Sequence, residues 1–182
     1  LSVDKGKKRT VLLGLVFVFF LGLSYVENTS FFVYIQNSFT NASLAVALVF
    51  IHNVLAVSLI ILAMALYVEI VLVFMPNKKM ERVILDNPGV FALVFTAVIL
   101  LISILRASTL VRGQVEINTL LVVILLSLPN GLVEGYGIFQ AIKKTLKKTL
   151  ATRDLAVIYL IVFIAAIVEV GFVQVLLWIS AR

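Results

Sequence analysis

The sequence predicts an all-α, polytopic membrane protein, and three observations support this class. Of the 182 residues, 63% are hydrophobic and only 13% are charged, and the mean hydropathy is +1.19, far above that of ordinary soluble domains. Five apolar stretches approach or exceed the ~20 residues that a helix needs to cross a hydrocarbon core of ~30 Å. The stretches are odd in number and lack the polar–apolar alternation of a membrane β-barrel.

The predicted spans form one transmembrane domain over residues 1–182 and lie near residues 9–27, 48–75, 89–108, 117–141 and 155–179. No small-residue cleavage pattern follows the first apolar run, so we expect a retained helix rather than a signal peptide. Aromatic and amide residues between Tyr25 and about Ser43 suit an external segment in the headgroup zone. The stretch 43–75 is too long for one crossing without tilt or a break, and His52-Asn53 marks the expected break.

The basic residues predict the orientation. If five helices alternate, twelve of the 15 Lys and Arg residues lie on one side of the membrane. These are Lys5, Lys7, Lys8, Arg9, Lys78, Lys79, Arg82, Lys143, Lys144, Lys147, Lys148 and Arg153, while Arg106, Arg112 and Arg182 lie on the other side. The positive-inside rule then places the N-terminus in the cytoplasm and the C-terminus outside a multi-pass protein of the cell membrane.

Composition also restricts the partners. The net charge of +6 does not indicate nucleic-acid binding, because no ordered soluble domain is predicted to present it. Anionic lipid headgroups are the simpler partner, and a homo-oligomer or a membrane protein partner is compatible with the pattern. Cysteine is absent, which excludes disulfides, thiolate metal sites and a cysteine nucleophile.

A cationic segment at residues 139–150 has apolar residues at helical spacing with four lysines between them: Lys143, Lys144, Lys147 and Lys148. Such a pattern is typical of a helix lying on a membrane surface and predicts contact with anionic lipid. The alternative is that the lysines serve only as a topological anchor.

Three carboxylates, Glu69, Glu134 and Glu169, fall inside predicted spans. Insertion scales give a cost of about 2.5–3.5 kcal/mol for an acidic residue at a helix centre, so each should face protein or water and have a partner. Glu69 and Glu134 each lie about two turns from the cytoplasmic ends of their predicted helices. Their depths therefore allow them to meet, with Glu169 above them.

The run Pro129-Asn130-Gly131-Leu132-Val133-Glu134-Gly135 places several polar and helix-modifying residues inside the fourth span. Asn130 and Glu134 are four residues apart and share a helix face, whereas Pro129 removes one backbone donor and loosens the preceding turn. Gly131 and Gly135 form a GxxxG match that permits close approach of another helix. We expect this segment to lie opposite the helix of Glu169. The acids then either fix helix register or act on ions or protons.

Catalytic signatures are scarce. His52 is the single histidine, lies beside Asn53 and is most simply one half of a hydrogen-bonded polar pair. No HExxH or GxSxG motif occurs, and no paired aspartates lie in the spans. We therefore expect no enzymatic activity, no cofactor and no metal site. A metal site built from His52 and scattered glutamates is a disfavoured alternative.

The polar run resembles a motif of a known family. Pro129-Asn130-Gly131-Leu132-Val133-Glu134 is similar to the Pro-His-Gly-x-x-Glu motif in the penultimate helix of the stage II sporulation protein M family, with Asn130 in the place of the histidine. Ala165-Ala166-Ile167-Val168-Glu169 resembles the pattern of its last helix, and Gln36 to Asn41 resembles the entry to its second helix. The resemblance extends over most of the chain and implies an archaeal-type relative of that family.

The resemblance implies a non-enzymatic multipass scaffold whose buried acids organise the helix core. An oligomeric proton- or cation-coupled channel or transporter using Glu134 and Glu169 is the alternative, and it requires an oligomer because five helices do not divide into two repeats. An insertase with a hydrophilic groove is a further alternative, although no Lys or Arg lies clearly at mid-membrane.

Overall fold

The computed structural model describes residues 2–38, 41–74, 79–112 and 117–180. Within them the chain forms six helices: α1 (Ser2–Ser38), α2 (Ala42–Phe74), α3 (Lys79–Asp86), α4 (Pro88–Arg112), α5 (Ile117–Leu146) and α6 (Thr152–Ser180). Residue 75, the predicted end of the second span, lies outside the described residues, as do Lys78 and Arg182.

The predicted all-α class is confirmed in the described part of the chain, which contains helices and short turns but no strand. Three helical stretches are long and apolar enough to cross a membrane: Gly6–Asn28, Ala42–Phe74 and Thr152–Val175. They coincide with the first, second and fifth predicted spans and indicate a membrane protein. The described apolar stretch Pro88–Ser103 of α4 is shorter.

The first two helices differ from the prediction at their junction. Helix α1 continues through Tyr25 to Ser38, so most of the expected external segment is helical. Asn41 then starts α2, because its side-chain Oδ1 accepts a hydrogen bond from the backbone N–H of Leu44 at 3.2 Å and its carbonyl accepts one from Ala45. This is an N-cap, which satisfies donors that a helix start leaves unpaired. The Asn41 N–H also bonds to the Ser38 carbonyl at the end of α1, and the two helices run antiparallel.

Helix α2 is continuous through His52-Asn53, so the expected break is wrong. One ion pair and one carboxylate–imidazole contact instead hold α2 in register with α1. Arg9 Nη2 lies 3.3 Å from Glu69 Oε1 at one end, and His52 Nδ1 lies 3.0 Å from Glu27 Oε2 at the other. The two pairs are about 25 Å apart along the helices at 1.5 Å per residue. We call the end with Arg9 the basic end, and the other the distal end.

Helices α2, α5 and α6 form the centre of the bundle, with α1 packed along α2 and α4 along α5. Their shared core contains Val57, Met64, Ile138, Ile142 and Val162. Lipid tails are as apolar as these side chains, so association depends on close packing rather than on the hydrophobic effect. Fully buried alanines permit that packing where the helices touch: Ala141, Ala165 and Ala166.

The predicted surface helix at 139–150 is wrong in its placement. Residues 139–146 are the last two turns of α5, and Ala141, Ile142 and Leu146 are buried in the core rather than turned toward lipid. Lys148 N–H bonds to the Thr145 carbonyl, and Thr149 N–H to that of Lys144. These bonds close α5 in a Schellman motif. An apolar stripe marks a buried face equally well in a bundle and on a membrane, so its spacing alone could not decide between them.

Candidate functional site

The site begins with a hydrogen bond between α5 and α6. Asn130 Nδ2 donates to Glu169 Oε2 at 3.0 Å, which joins the two residues that the sequence placed on facing helices. The other half of the amide is not satisfied, because Asn130 Oδ1 is buried and has no hydrogen-bond partner among the described residues. An acceptor is therefore available beside the Glu169 carboxylate.

Glu134 lies one turn beyond Asn130 on α5. Its carboxyl group is partly buried and close enough to Glu169 for the two groups to interact electrostatically. No hydrogen bond to this carboxyl is found within the described part of the chain. The two acids thus lie near each other inside the bundle, and only Glu169 has a donor.

His52 extends this polar region toward α1. Its Nδ1 lies 3.0 and 3.2 Å from the two carboxylate oxygens of Glu27, and its ring stacks on Phe31 with centroids 4.2 Å apart. When protonated, the imidazole attracts the Glu169 carboxylate. We refer to these five residues as the distal polar cluster: Glu27, His52, Asn130, Glu134 and Glu169.

Glu27 was missed by the sequence analysis because it was assigned to an external segment. The sequence feature that could have identified Glu27 is its spacing from Arg9. On one continuous helix, that spacing separates the two residues by about the thickness of the hydrocarbon core. The predicted His52–Asn53 pair is wrong, since His52 bonds to Glu27 instead. Asn53 is buried on α2, and its Nδ2 has no partner among the described residues.

Glu69 does not join the distal polar cluster. It pairs with Arg9 at the basic end, where its side chain is 15% exposed. The depth argument for a meeting with Glu134 is wrong because α5 continues to Leu146 rather than ending near residue 141. Glu134 therefore lies more than three turns, about 18 Å, from the end of its helix.

The small residues of α5 contact neighbours other than those predicted. A Cβ atom at Gly135 would lie 2.8 Å from Leu100 Cδ1, so this glycine admits α4 rather than the helix of Glu169. A Cβ at Gly131 would meet nothing within 4 Å among the described side chains, whereas one at Gly137 would lie 3.4 Å from Ile161 on α6. The GxxxG pair is thus not one packing motif within this chain. Pro129 is exposed, and α5 passes through it as a helix.

The four lysines at the basic end have different surroundings. Lys144 Nζ donates to Asp154 Oδ1 at 2.5 Å, and Lys143 lies 5.2 Å from the centre of the Phe139 ring. Asp154 also accepts from the backbone N–H of Ala151, which caps the start of α6. Lys147 and Lys148 are exposed. Of the four lysines, Lys147 and Lys148 thus have the exposed side chains that a topological anchor or a lipid contact requires.

The described residues contain no group of three or more His, Asp or Glu side chains that could hold a metal ion. What the distal polar cluster offers is a set of carboxylate and amide oxygens beside an imidazole. Such groups can tie helices together by hydrogen bonds, exchange protons or coordinate a cation transiently.

Comparison with known proteins gives no relative: no family model, no curated protein and no solved structure matches this chain.

Proposed function

We propose that this chain is a non-enzymatic, multi-pass scaffold of the cell membrane. In this proposal α1, α2, α4, α5 and α6 each cross the bilayer, with the N-terminus cytoplasmic and the C-terminus outside. The positive-inside rule supports this orientation, because Arg9, Lys143, Lys147 and Lys148 share the basic end.

The observation that carries the scaffold proposal is the hydrogen bond from Asn130 to Glu169, which commits the α6 acid to a contact between helices. Other polar residues serve the same purpose. Ser58 and Tyr159 join α2 to α6 through their hydroxyls, 2.9 Å apart. Lys144 and Asp154 join α5 to α6, and both acids of the α1–α2 pair have basic partners. Polar groups used in this way fix which helices meet, and at which register.

We retain a relationship to the stage II sporulation protein M family as part of this proposal. Asn130 and Glu169 belong to the two motifs that carry the resemblance, and their contact is what a shared helix core would require. A membrane protein partner, or a second copy of the chain, would bind to such a scaffold.

The second candidate is an oligomeric proton- or cation-coupled channel or transporter. It is favoured by the closeness of Glu134 to Glu169 and by the unpartnered Asn130 Oδ1 beside them.

Flux through liposomes distinguishes the two candidates. The purified full chain is reconstituted, and proton, sodium and potassium fluxes are measured for the wild type, Glu134→Gln and Glu169→Gln. The scaffold proposal predicts no flux above that of protein-free vesicles. It also predicts that Glu134→Gln leaves the helical circular dichroism and the monodispersity unchanged, because this carboxyl has no hydrogen-bond partner to lose among the described residues.

Ser58→Ala serves as the control, since it removes a polar group outside the distal polar cluster. A flux in the wild type that Glu134→Gln abolishes and Ser58→Ala preserves would replace the scaffold by the channel.

A further inference from the structure

A cavity of about 500 Å³ lies at the basic end, between α1, α2 and the turn that follows α5. Leu13 and Val16 on α1 and Ala65 on α2 form part of its apolar wall. Arg9 and Lys148 contribute cationic groups to the same cavity. An apolar wall with two cations is complementary to an amphiphile that carries a negative headgroup.

The charges of the lining leave a net positive site. Glu69 also lines the cavity, but Arg9 pairs with it through one nitrogen, and a guanidinium has five N–H donors. The Lys148 ammonium has no ion pair among the described residues. Lys147, one residue earlier, is also exposed but is not among the residues that line the cavity. Of these two neighbouring lysines, the cavity is therefore lined by Lys148 and not by Lys147.

The backbone of Lys148 supports the same assignment. Its φ of 56° lies in the left-handed region, at the position after the helix where glycine is the usual residue. A side chain there is held at an energetic cost, and such strain is commonly found at ligand-binding positions. A lysine at this position adds a cationic residue to the cavity lining, which a glycine could not do.

We propose that this cavity binds an anionic phospholipid. The phosphate of its headgroup lies between Arg9 and Lys148, and an acyl chain runs along Leu13, Val16 and Ala65. This inference goes beyond the scaffold role and holds equally if the protein is a channel, so its failure and that of the proposed function are separate results.

Native mass spectrometry of the full chain in detergent tests the proposal. The protein is incubated with equal amounts of phosphatidylglycerol and phosphatidylcholine that have identical acyl chains. We expect the wild type to retain phosphatidylglycerol preferentially and Lys148→Gln to lower that retention by about fivefold, the effect of one basic residue at an anionic headgroup. Lys148→Gly should lose retention equally and remain folded, because glycine prefers the left-handed φ.

Two matched controls separate a site from diffuse attraction. Lys147→Gln removes the same charge one residue away, and Ala156→Leu adds the same bulk on an exposed face of α6 as Ala65→Leu adds to the cavity wall. We expect both controls to retain lipid like the wild type, and Ala65→Leu to lose it.

Equal losses in Lys147→Gln and Lys148→Gln would overturn the proposal in favour of diffuse attraction. Displacement of the lipid by inorganic phosphate would also overturn it, because the acyl chain would then contribute nothing. Equal retention of phosphatidylglycerol and phosphatidylcholine would mean that the cations do not distinguish the two headgroups. That result would also overturn the proposal.

Discussion

One half of the Asn130 side-chain amide has a hydrogen-bond partner among the described residues and the other half has none. This difference determines how the role of Asn130 is tested. Its Nδ2 has a carboxylate partner while its Oδ1 is buried without one. A buried group without a partner costs about 1–3 kcal/mol, so the bond to Glu169 must offset that cost if Asn130 acts only in packing. The hydroxyls of Ser58 and Tyr159, by comparison, satisfy each other directly.

A double-mutant cycle on Asn130→Ala and Glu169→Ala measures the bond between them. We expect a coupling free energy of about 0.6–1.7 kcal/mol, which lies between the average and the maximum for hydrogen bonds between membrane helices. The measurement is the free energy of unfolding in mixed micelles with a denaturing detergent. Glu169→Gln should cost less than Glu169→Ala, because an amide oxygen still accepts from Asn130 Nδ2.

Asn130→Ala combined with Ser58→Ala is the control for this cycle. These two side chains share no partner, so their effects should add within about 0.5 kcal/mol. A coupling between Asn130 and Glu169 no larger than this control would show that the bond does not stabilise the bundle.

At the scale of elements, the sequence predicted the helices well and their ends poorly. Apolar runs set where α2 and α6 lie, because hydrocarbon length is a strong constraint. The polar stretch after Tyr25 continues α1, since helix formation there depends on packing against α2, which hydropathy does not record. Asn130 and Glu169 were placed on facing helices because both are polar in apolar spans. Glu69 was misplaced because an error of five residues at the end of α5 moved Glu134 by more than a turn.

Helix contacts were the least predictable feature, as the glycines of α5 show. Gly131 and Gly135 belong to the same GxxxG spacing, but within the described part of the chain only Gly135 has a side chain packed against it. The spacing identifies a smooth face without saying which helix covers it. Gly137, outside the motif, admits α6.

Valine substitutions test this difference between the two glycines. Gly135→Val would drive its methyl groups into Leu100 and Thr96 on α4, and we expect a loss of about 1–3 kcal/mol in the free energy of unfolding, as for overpacked cores. Gly131→Val adds the same side chain where no described side chain lies within 4 Å and should be neutral or slightly stabilising, because valine is the better helix former. Equal losses at the two positions would contradict the assigned α4–α5 contact.

For the whole molecule, two contacts between α1 and α2 give a length that can be compared with a bilayer: the Arg9–Glu69 ion pair and the Glu27–His52 carboxylate–imidazole contact. Arg9–Glu69 and Glu27–His52 lie about 25 Å apart along the helices, close to the thickness of a bilayer's hydrocarbon core. Charged pairs are least costly near the two interfaces. The pairs therefore favour a placement in which the basic end and the distal polar cluster lie near opposite faces of the membrane.

The natural absence of cysteine makes this placement directly testable. Single cysteines are introduced as Ser43→Cys at the distal end, Lys147→Cys at the basic end and Gln114→Cys between α4 and α5. We expect a membrane-impermeant maleimide to label Ser43→Cys and Gln114→Cys in intact cells, and Lys147→Cys only after permeabilisation. The cysteine-free wild type is the control for background. Labelling of Lys147→Cys in intact cells would reverse the proposed orientation. If Gln114→Cys required permeabilisation while Ser43→Cys did not, α4 and α5 would not cross, and the chain would have three spans rather than five.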